Sequence, residues 1–221
     1  GKLDGFNCSS GFYITVASEV MAILAMSADL ADLRSRLSKI VVAYSKSGAP
    51  VTTKDLEVDG AMCALLVNAI KPTLMQSIEG QPVFVHAGPF ANIAIGQNSV
   101  VADRLACALG DYVVTESGFA SDMGYEKFWN IKCRCSGLKP DAVVLVATVR
   151  ALKAHGGAPA VKAGLPLDPV YTHENLTLLE KGCDNLLAHI DITRRSGVQP
   201  VVWLNAFSTD TPAERALVKS F

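Results

Sequence analysis

From Ile14 to Met26 the apolar residues recur at helical spacing, and Leu30, Leu33, Leu37 and Ile40 continue the pattern after a break at Ser27 and Asp29. The first third of the chain is therefore predicted to be helical. Val41–Tyr44 is a short apolar run ended by Lys46-Ser-Gly-Ala-Pro50, a turn composition, and Ala61 to Ile70 returns to the helical period before Pro72. Beyond Gly80 the texture changes. Pro82–His86, Tyr112–Thr115, Ala142–Ala147 and Pro200–Leu204 are continuous apolar runs, the pattern of buried parallel strands. Between them lie helical patterns at Ser99–Leu109, Met123–Cys133 and Glu174–Arg195. In the last, Leu176, Leu179, Cys183, Leu186 and Ile190 mark one face, with Thr172 as N-cap and Gly197 as C-cap.

Strands alternating with helices specify an α/β fold, here a three-layer, mostly parallel sheet with flanking helices. In such a sheet ligands sit beyond the carboxyl ends of the strands, which picks out the loops to examine. The pattern divides the chain into a mainly helical segment over residues 1–80 and an α/β core over 81–221. The chain contains no internal repeat. The amphipathic helix that begins near Asp210 is still running at Phe221, so neither end reads as a domain boundary.

Half of the 221 residues are apolar and the net charge is −1, which suits a sizeable buried core and argues against disorder. With no long basic run, neither nucleic acid nor an anionic membrane surface is an expected partner. Val16 to Met26 is interrupted by Glu19 and is shorter than the ~20 residues that cross a bilayer, so it reads as a core helix. The first residues lack a basic region followed by an apolar stretch, which leaves the cytoplasm, or an organelle, as the expected compartment. Six scattered cysteines (Cys8, Cys63, Cys107, Cys133, Cys135, Cys183) form no paired metal or redox spacing and read as reduced core residues.

Four loops carry candidate chemistry. His86-Ala-Gly-Pro-Phe-Ala-Asn-Ile-Ala-Ile-Gly96 is too rich in Gly and Pro for a helix and too apolar for a solvent loop. It could line a pocket with the Asn92 amide and the Phe90 face, or be a buried turn with a satisfied His86. After Tyr112–Thr115 comes Glu116 and a Ser-Gly-rich loop to Gly124. A carboxylate there suits an acid that meets magnesium or its water shell, whereas Asp122 reads first as a helix N-cap. After Ala147, Arg150, Lys153 and His155 precede Gly156-Gly157, an anion site or a surface ion-pair cluster. Finally, Asn205 at a strand end with Asp210 nearby suits reading of a purine edge, although Asp210 could equally cap the next helix.

Taken together, these loops resemble one family. Val146-Ala-Thr-Val-Arg-Ala-Leu-Lys-Ala-His-Gly-Gly157 looks like a signature segment of formate–tetrahydrofolate ligases. The likeness extends in order through Phe12–Ala22, Lys71–Gln76, Glu79–Ala94, Val113–Glu116, Asp122–Phe128, Ile131–Arg134 and Asn205–Thr211. The resemblance implies an incomplete core of the phosphate-loop nucleotide-enzyme kind. It implies that ATP phosphorylates formate to formyl phosphate, whose formyl group passes to N10 of tetrahydrofolate. By the family pattern, Glu116 with Mg, Arg150 and Lys153 would serve the phosphoryl group, and Asn205, Phe207, Thr209 and Asp210 the adenine. His86, Pro89, Phe90 and Asn92 would line the small-substrate pocket. A monovalent cation and a homo-oligomer are also compatible with the family.

The departures bear on activity. The family's Gly-Lys-Ser/Thr phosphate loop should precede residue 1 and its folate-stacking aromatics should follow residue 221, so these residues alone are not expected to catalyse the reaction. Ile95 stands where the resemblance leads one to expect a histidine, and Ala120-Ser121 replace a Gly-Ala pair. Two rivals follow: a catalytically silent homologue or fragment acting as an interaction or assembly module, and another phosphate-loop ATPase or acyl-phosphate ligase.

Overall fold

The computed structural model describes residues 17–88, 95 and 97–221. These fall into two compact units. One contains residues up to Gly118 together with Asn130–Gly137, and the other contains Phe119–Trp129 and Leu138–Phe221.

In the first unit, Ser18 accepts a hydrogen bond from Met21 N and starts Glu19–Met26 (α1); Asp29 accepts from Asp32 N and starts Leu30–Leu37 (α2). Each cap satisfies an amide that the first helical turn leaves without a partner. The Ser27–Asp29 break is thus a stop followed by a new start. Val41–Tyr44 (β1) turns through Gly48, at φ 83°, into Pro50–Thr52 (β2), an antiparallel hairpin. Asp59–Leu65 (α3) is shorter than the predicted helix to Ile70: Leu66 N bonds back to Cys63 O and Val67 N to Ala64 O, a tightening that leads into turns before Pro72. Leu24, Leu33, Leu37 and Cys63 form the core of these elements.

Thr73–Gln76 (β3) and Pro82–Val85 (β4) pair antiparallel, with Thr73 opposite Val85 and Gln76 opposite Pro82. Pro82–His86 was expected to be a buried parallel strand. The five residues between the strands, folded over Gly80 at φ 91°, are too short for the crossover that parallel pairing needs. The helix predicted over Ser99–Leu109 is present as Val100–Leu109 (α4), with Ser99 as its cap. Tyr112–Thr115, expected as a strand, is irregular, and among the described residues no strand pairs with it.

The predicted helix Met123–Cys133 is present in altered form. Ser121–Tyr125 and Phe128–Cys133 are π-helical, followed by one α-turn at Arg134–Ser136 (α5). Ala120 occupies the cap position and Asp122 lies inside the first turn, so Asp122 is not the N-cap.

In the second unit Val143–Ala147 (β5) and Pro200–Leu204 (β6) pair parallel in register, Val143 with Pro200 through Ala147 with Leu204. Here the parallel expectation holds. Val149–His155 (α6), Leu176–Arg194 (α7) and Pro212–Ser220 (α8) bury Ala147, Val149, Leu152, Leu179, Cys183, Leu186 and Val218 together, with Leu145 and Leu204 packed on them. Among the described residues only that face of the pair is covered. Val144, Val146, Val201 and Trp203 alternate onto the other face and are exposed, against the expectation of strands buried on both faces. The observed sheets among the described residues are this parallel pair and two antiparallel pairs, so the fold is mixed α/β with small sheets.

The cap assignments also shift. Asn175, not Thr172, caps α7, because the Pro169–Tyr171 turn consumes Thr172 as its own end; Arg195 closes the helix and Gly197 follows at φ 85°. Thr211, not Asp210, caps α8 in a reciprocal capping box with Glu214. Where α6 meets α7, Gly156 and Gly182 allow backbone-to-backbone approach: a Cβ on Gly182 would lie 1.8 Å from Leu152 O, and one on Gly156 would lie 1.8 Å from Leu178 O.

Candidate functional site

The carboxyl ends of β5 and β6 hold two of the predicted loops side by side. Asn205 N donates to Ala147 O at 2.8 Å, one bond beyond the strand ladder, which keeps the Asn205 loop against the start of α6. Thr148 caps α6 by accepting from Ala151 N, so Arg150 projects from the first turn. Its guanidinium lies over the Phe207 ring, 3.9 Å from the centroid, and Nη2 donates to Thr209 Oγ1 at 3.2 Å. Asp210 is buried. Its carboxylate accepts from Phe207 N at 2.8 Å while its own N donates to Phe207 O at 3.0 Å. That exchange folds the Phe207–Asp210 turn and leaves Phe207 40% exposed. Arg150 Nε is buried without a hydrogen-bond partner among the described residues, and Asn205 is exposed at the same strand end.

Lys153, one turn along α6, is not directed at this surface. It is 1% exposed, with Nζ 2.5 Å from Glu214 Oε1 and donating to His173 O at 2.7 Å. Glu214 is wholly buried. Its Oε1 also accepts from Asn175 N at 3.0 Å and its Oε2 from Thr211 N at 3.1 Å. Burial pushes the Glu214 carboxyl up, but Lys153 and the two backbone N–H groups outweigh that and hold it below its ordinary value. His155, the third polar residue of this loop, is exposed.

In the first unit His86 is buried, with Nε2 2.6 Å from Ala69 O and Nδ1 2.5 Å from Ser99 Oγ. A carbonyl only accepts, so Nε2 carries a proton. With the ring neutral, Nδ1 accepts from the Ser99 hydroxyl, whose oxygen in turn accepts from Ala102 N as the cap of α4. The histidine is therefore the satisfied one of the two sequence readings. Pro89, Phe90 and Asn92 lie outside the described residues. Ile95 is 2% exposed and packs with Ala25 and Met26, a core position. Glu116 is exposed, and beside it Ser117 Oγ accepts from Gln97 Nε2 at 2.6 Å. Among the described residues no group of three or more His, Cys, Asp or Glu is placed to hold a metal ion.

The family model described as formate–tetrahydrofolate ligase matches residues 1–221. Over 219 residues the chain is 65% identical to the formate–tetrahydrofolate ligase of Dehalococcoides mccartyi and 63% identical to that of Lawsonia intracellularis, covering 99% of this chain and 37% of each relative. To the Desulfotalea psychrophila enzyme of the same name it is 59% identical, with 39% of that relative covered. The chain belongs to the formate–tetrahydrofolate ligase family. It spans well under half the length of the curated relatives it matches.

Val146–Gly157, the stretch from which the resemblance was read, comprises the end of β5, the Thr148 cap, α6 and the Gly156 contact with α7. Sequence reasoning missed the partners that hold it. Glu214 was read only as part of an amphipathic helix, although Thr211-Pro-Ala-Glu214 is a capping-box spacing that could have located it. Ser121 Oγ lies 2.6 Å from His189 Nδ1, and Tyr125 Oη lies 2.7 Å from Ser196 Oγ, tying the π-helix to α7. In the first unit Asp103 pairs with the buried Lys132; burial pushes the Asp103 carboxyl up and the Lys132 ammonium down, and each is opposed by the other's charge. No local sequence signal marks these long-range pairs. Of the cysteines, Cys63, Cys133 and Cys183 are buried as expected, whereas Cys107 and Cys135 are exposed; Cys8 lies outside the described residues. Among the described residues no helix is long and apolar enough to cross a membrane.

Proposed function

We propose that the protein carrying these residues joins formate to tetrahydrofolate at the expense of ATP. A formate oxygen attacks the γ-phosphorus of ATP and ADP leaves; N10 of tetrahydrofolate then attacks the formyl carbon, and phosphate leaves taking up the proton that N10 loses, giving 10-formyltetrahydrofolate. The observation that carries this reading is the family match over the whole chain, with its signature segment delivering Arg150 onto Phe207 at the carboxyl ends of a parallel strand pair.

In this reading residues 81–221 belong to the nucleotide-binding core of a larger, three-layer parallel sheet, and the exposed face of β5 and β6 supports such an extension. The purine stacks on the open side of Phe207, Asn205 offers its amide to the base edge, and the Asp210–Thr209 turn fixes the height of that platform. Arg150 is the fixed cation that meets the nucleotide, held flat by Phe207 with Nε–H still to be satisfied. Lys153, bound to Glu214, acts through the scaffold.

Glu116 is the acid for the metal–phosphate side. A lone exposed carboxylate does not make a resident metal site, but it fits Mg²⁺ that arrives on the nucleotide, since Mg²⁺ takes one or two carboxylates and keeps phosphate and water as its other ligands. Bound there, Mg²⁺ would neutralise charge on the transferring phosphoryl group. His86 holds the loop that leads to Pro89, Phe90 and Asn92, the small-substrate pocket of this reading.

The test is ADP release by the full-length protein containing this segment. It should require both formate and tetrahydrofolate. ADP release indifferent to the folate would assign the protein to another acyl-phosphate chemistry, and no nucleotide binding at all would make it the silent module.

A further inference from the structure

Lys153 and Glu214 form a buried ion pair that no step of the reaction uses. Both oxygens of Glu214 are occupied, by Lys153 and Asn175 N on one and by Thr211 N on the other, and Lys153 also donates to His173 O. The pair therefore joins α6, the approach to α7 and the start of α8 at one point. As a source of stability this is a poor choice, because well-packed apolar residues of similar volume do as well or better at a buried site. What charged hydrogen bonds supply is direction and distance.

Those constraints act on the candidate nucleotide platform. Lys153 lies three residues after Arg150 on α6, so the hydrogen-bonded helix fixes the position of one relative to the other. Glu214 stands three residues after the α8 cap Thr211, which directly follows Asp210, the acceptor of Phe207 N. Thr211 is held on its other side by Glu174, to which its hydroxyl donates at 2.6 Å. Every link from the guanidinium, through α6 and the ion pair, to the Phe207 ring is thus a covalent or hydrogen-bonded one. We infer that the Lys153–Glu214 pair is a positioning device that sets the spacing of α6 and α8 at which Arg150 lies on Phe207, and so tunes affinity for the nucleotide. The inference rests on the nucleotide reading given above.

The experiment uses the full-length protein and steady-state kinetics with ATP, formate and tetrahydrofolate each varied. Lys153→Met with Glu214→Leu removes both charges together and leaves neither orphaned. The expected result is a folded protein whose KM for ATP rises by about tenfold, with kcat changed much less and KM for formate unaltered. Glu214→Asp, which keeps the charge but draws it back by one methylene, should raise the same constant, and it decides the matter where the double variant does not fold. A folded variant with wild-type KM for ATP overturns the inference. Failure of the underlying reading has a different signature, since Arg150→Met and Phe207→Ala would then also leave KM for ATP unchanged.

Discussion

The Arg150 guanidinium lies 3.9 Å from the centre of the Phe207 ring, Arg150 in the first turn of the helix after β5 and Phe207 in the loop after β6, the two strands being paired. A cation over an aromatic face contributes about 0.5–2 kcal/mol, the upper figure when desolvated. Phe207→Ala removes this contact and the stacking face, so KM for ATP should rise by roughly tenfold or more, on the scale of ~1.4 kcal/mol per decade. Arg150→Lys keeps the charge but loses the planar fork that lies on the ring and reaches Thr209. It should fall between wild type and Arg150→Met. Equal affinities across the series, measured by nucleotide titration, would remove both residues from the site.

His86 makes a prediction of the opposite kind. Its two nitrogens bridge Ala69 O and the Ser99 cap, so replacement by Ala takes the donor from the Ala69 carbonyl and the acceptor from the buried Ser99 hydroxyl. The expected loss is about 1–3 kcal/mol of stability, read by chemical denaturation. Nitrogen NMR of the ring should show the proton on Nε2. An Nδ1–H tautomer would contradict the assignment.

How much of this was legible in the sequence depends on where the information lies. The helical patterns from Leu30 and over Ser99–Leu109 and the run Val143–Ala147 announced their elements because apolar period is a local signal. Pro82–Val85 misled because an apolar run does not say which way its neighbour runs, whereas the short link over Gly80 does. Tyr112–Thr115 has the composition of a strand, but pairing depends on a neighbour that no local pattern reveals. At the site, Arg150, Phe207, Thr209 and Asp210 were named from two separate loops, and the structure brings them together. Lys153 was named for its charge, whereas its direction depends on Glu214, distant in sequence and adjacent only in the fold.

The crossing of α6 and α7 should tolerate no side chain at Gly182. A Cβ there would stand 1.8 Å from Leu152 O and 2.5 Å from Leu152 C, backbone atoms that cannot rotate away. Gly182→Ala must therefore separate the helices, and overpacking of this kind costs roughly 1–3 kcal/mol or more. Gly197 provides the contrast: nothing lies within 4 Å of its Cβ position, and its φ of 85° is the only obstacle to substitution. Thermal unfolding should place Gly182→Ala well below Gly197→Asn, because asparagine accepts the left-handed conformation. The reverse order would show that the close helix approach is not maintained in solution.

The Glu214 carboxyl should leave a mark on acid stability. Burial pushes it up, but Lys153 and the N–H groups of Asn175 and Thr211 hold it below its ordinary value, whereas in the unfolded chain it titrates near the free value of about 4.3. A carboxyl depressed by folding adds stability that is fully present above the unfolded value and is lost as pH falls through the folded one. Glu214→Gln removes this contribution and leaves Lys153 buried without its counter-charge, so at neutral pH it should be destabilised by roughly 3–5 kcal/mol. As pH falls below about 4 the gap between the two proteins should narrow, because protonation deprives the wild type of the same interaction. Urea unfolding followed from neutral pH into the acid range measures that gap directly. A difference that stayed constant throughout would mean that the carboxylate charge is not what joins α6 to α8.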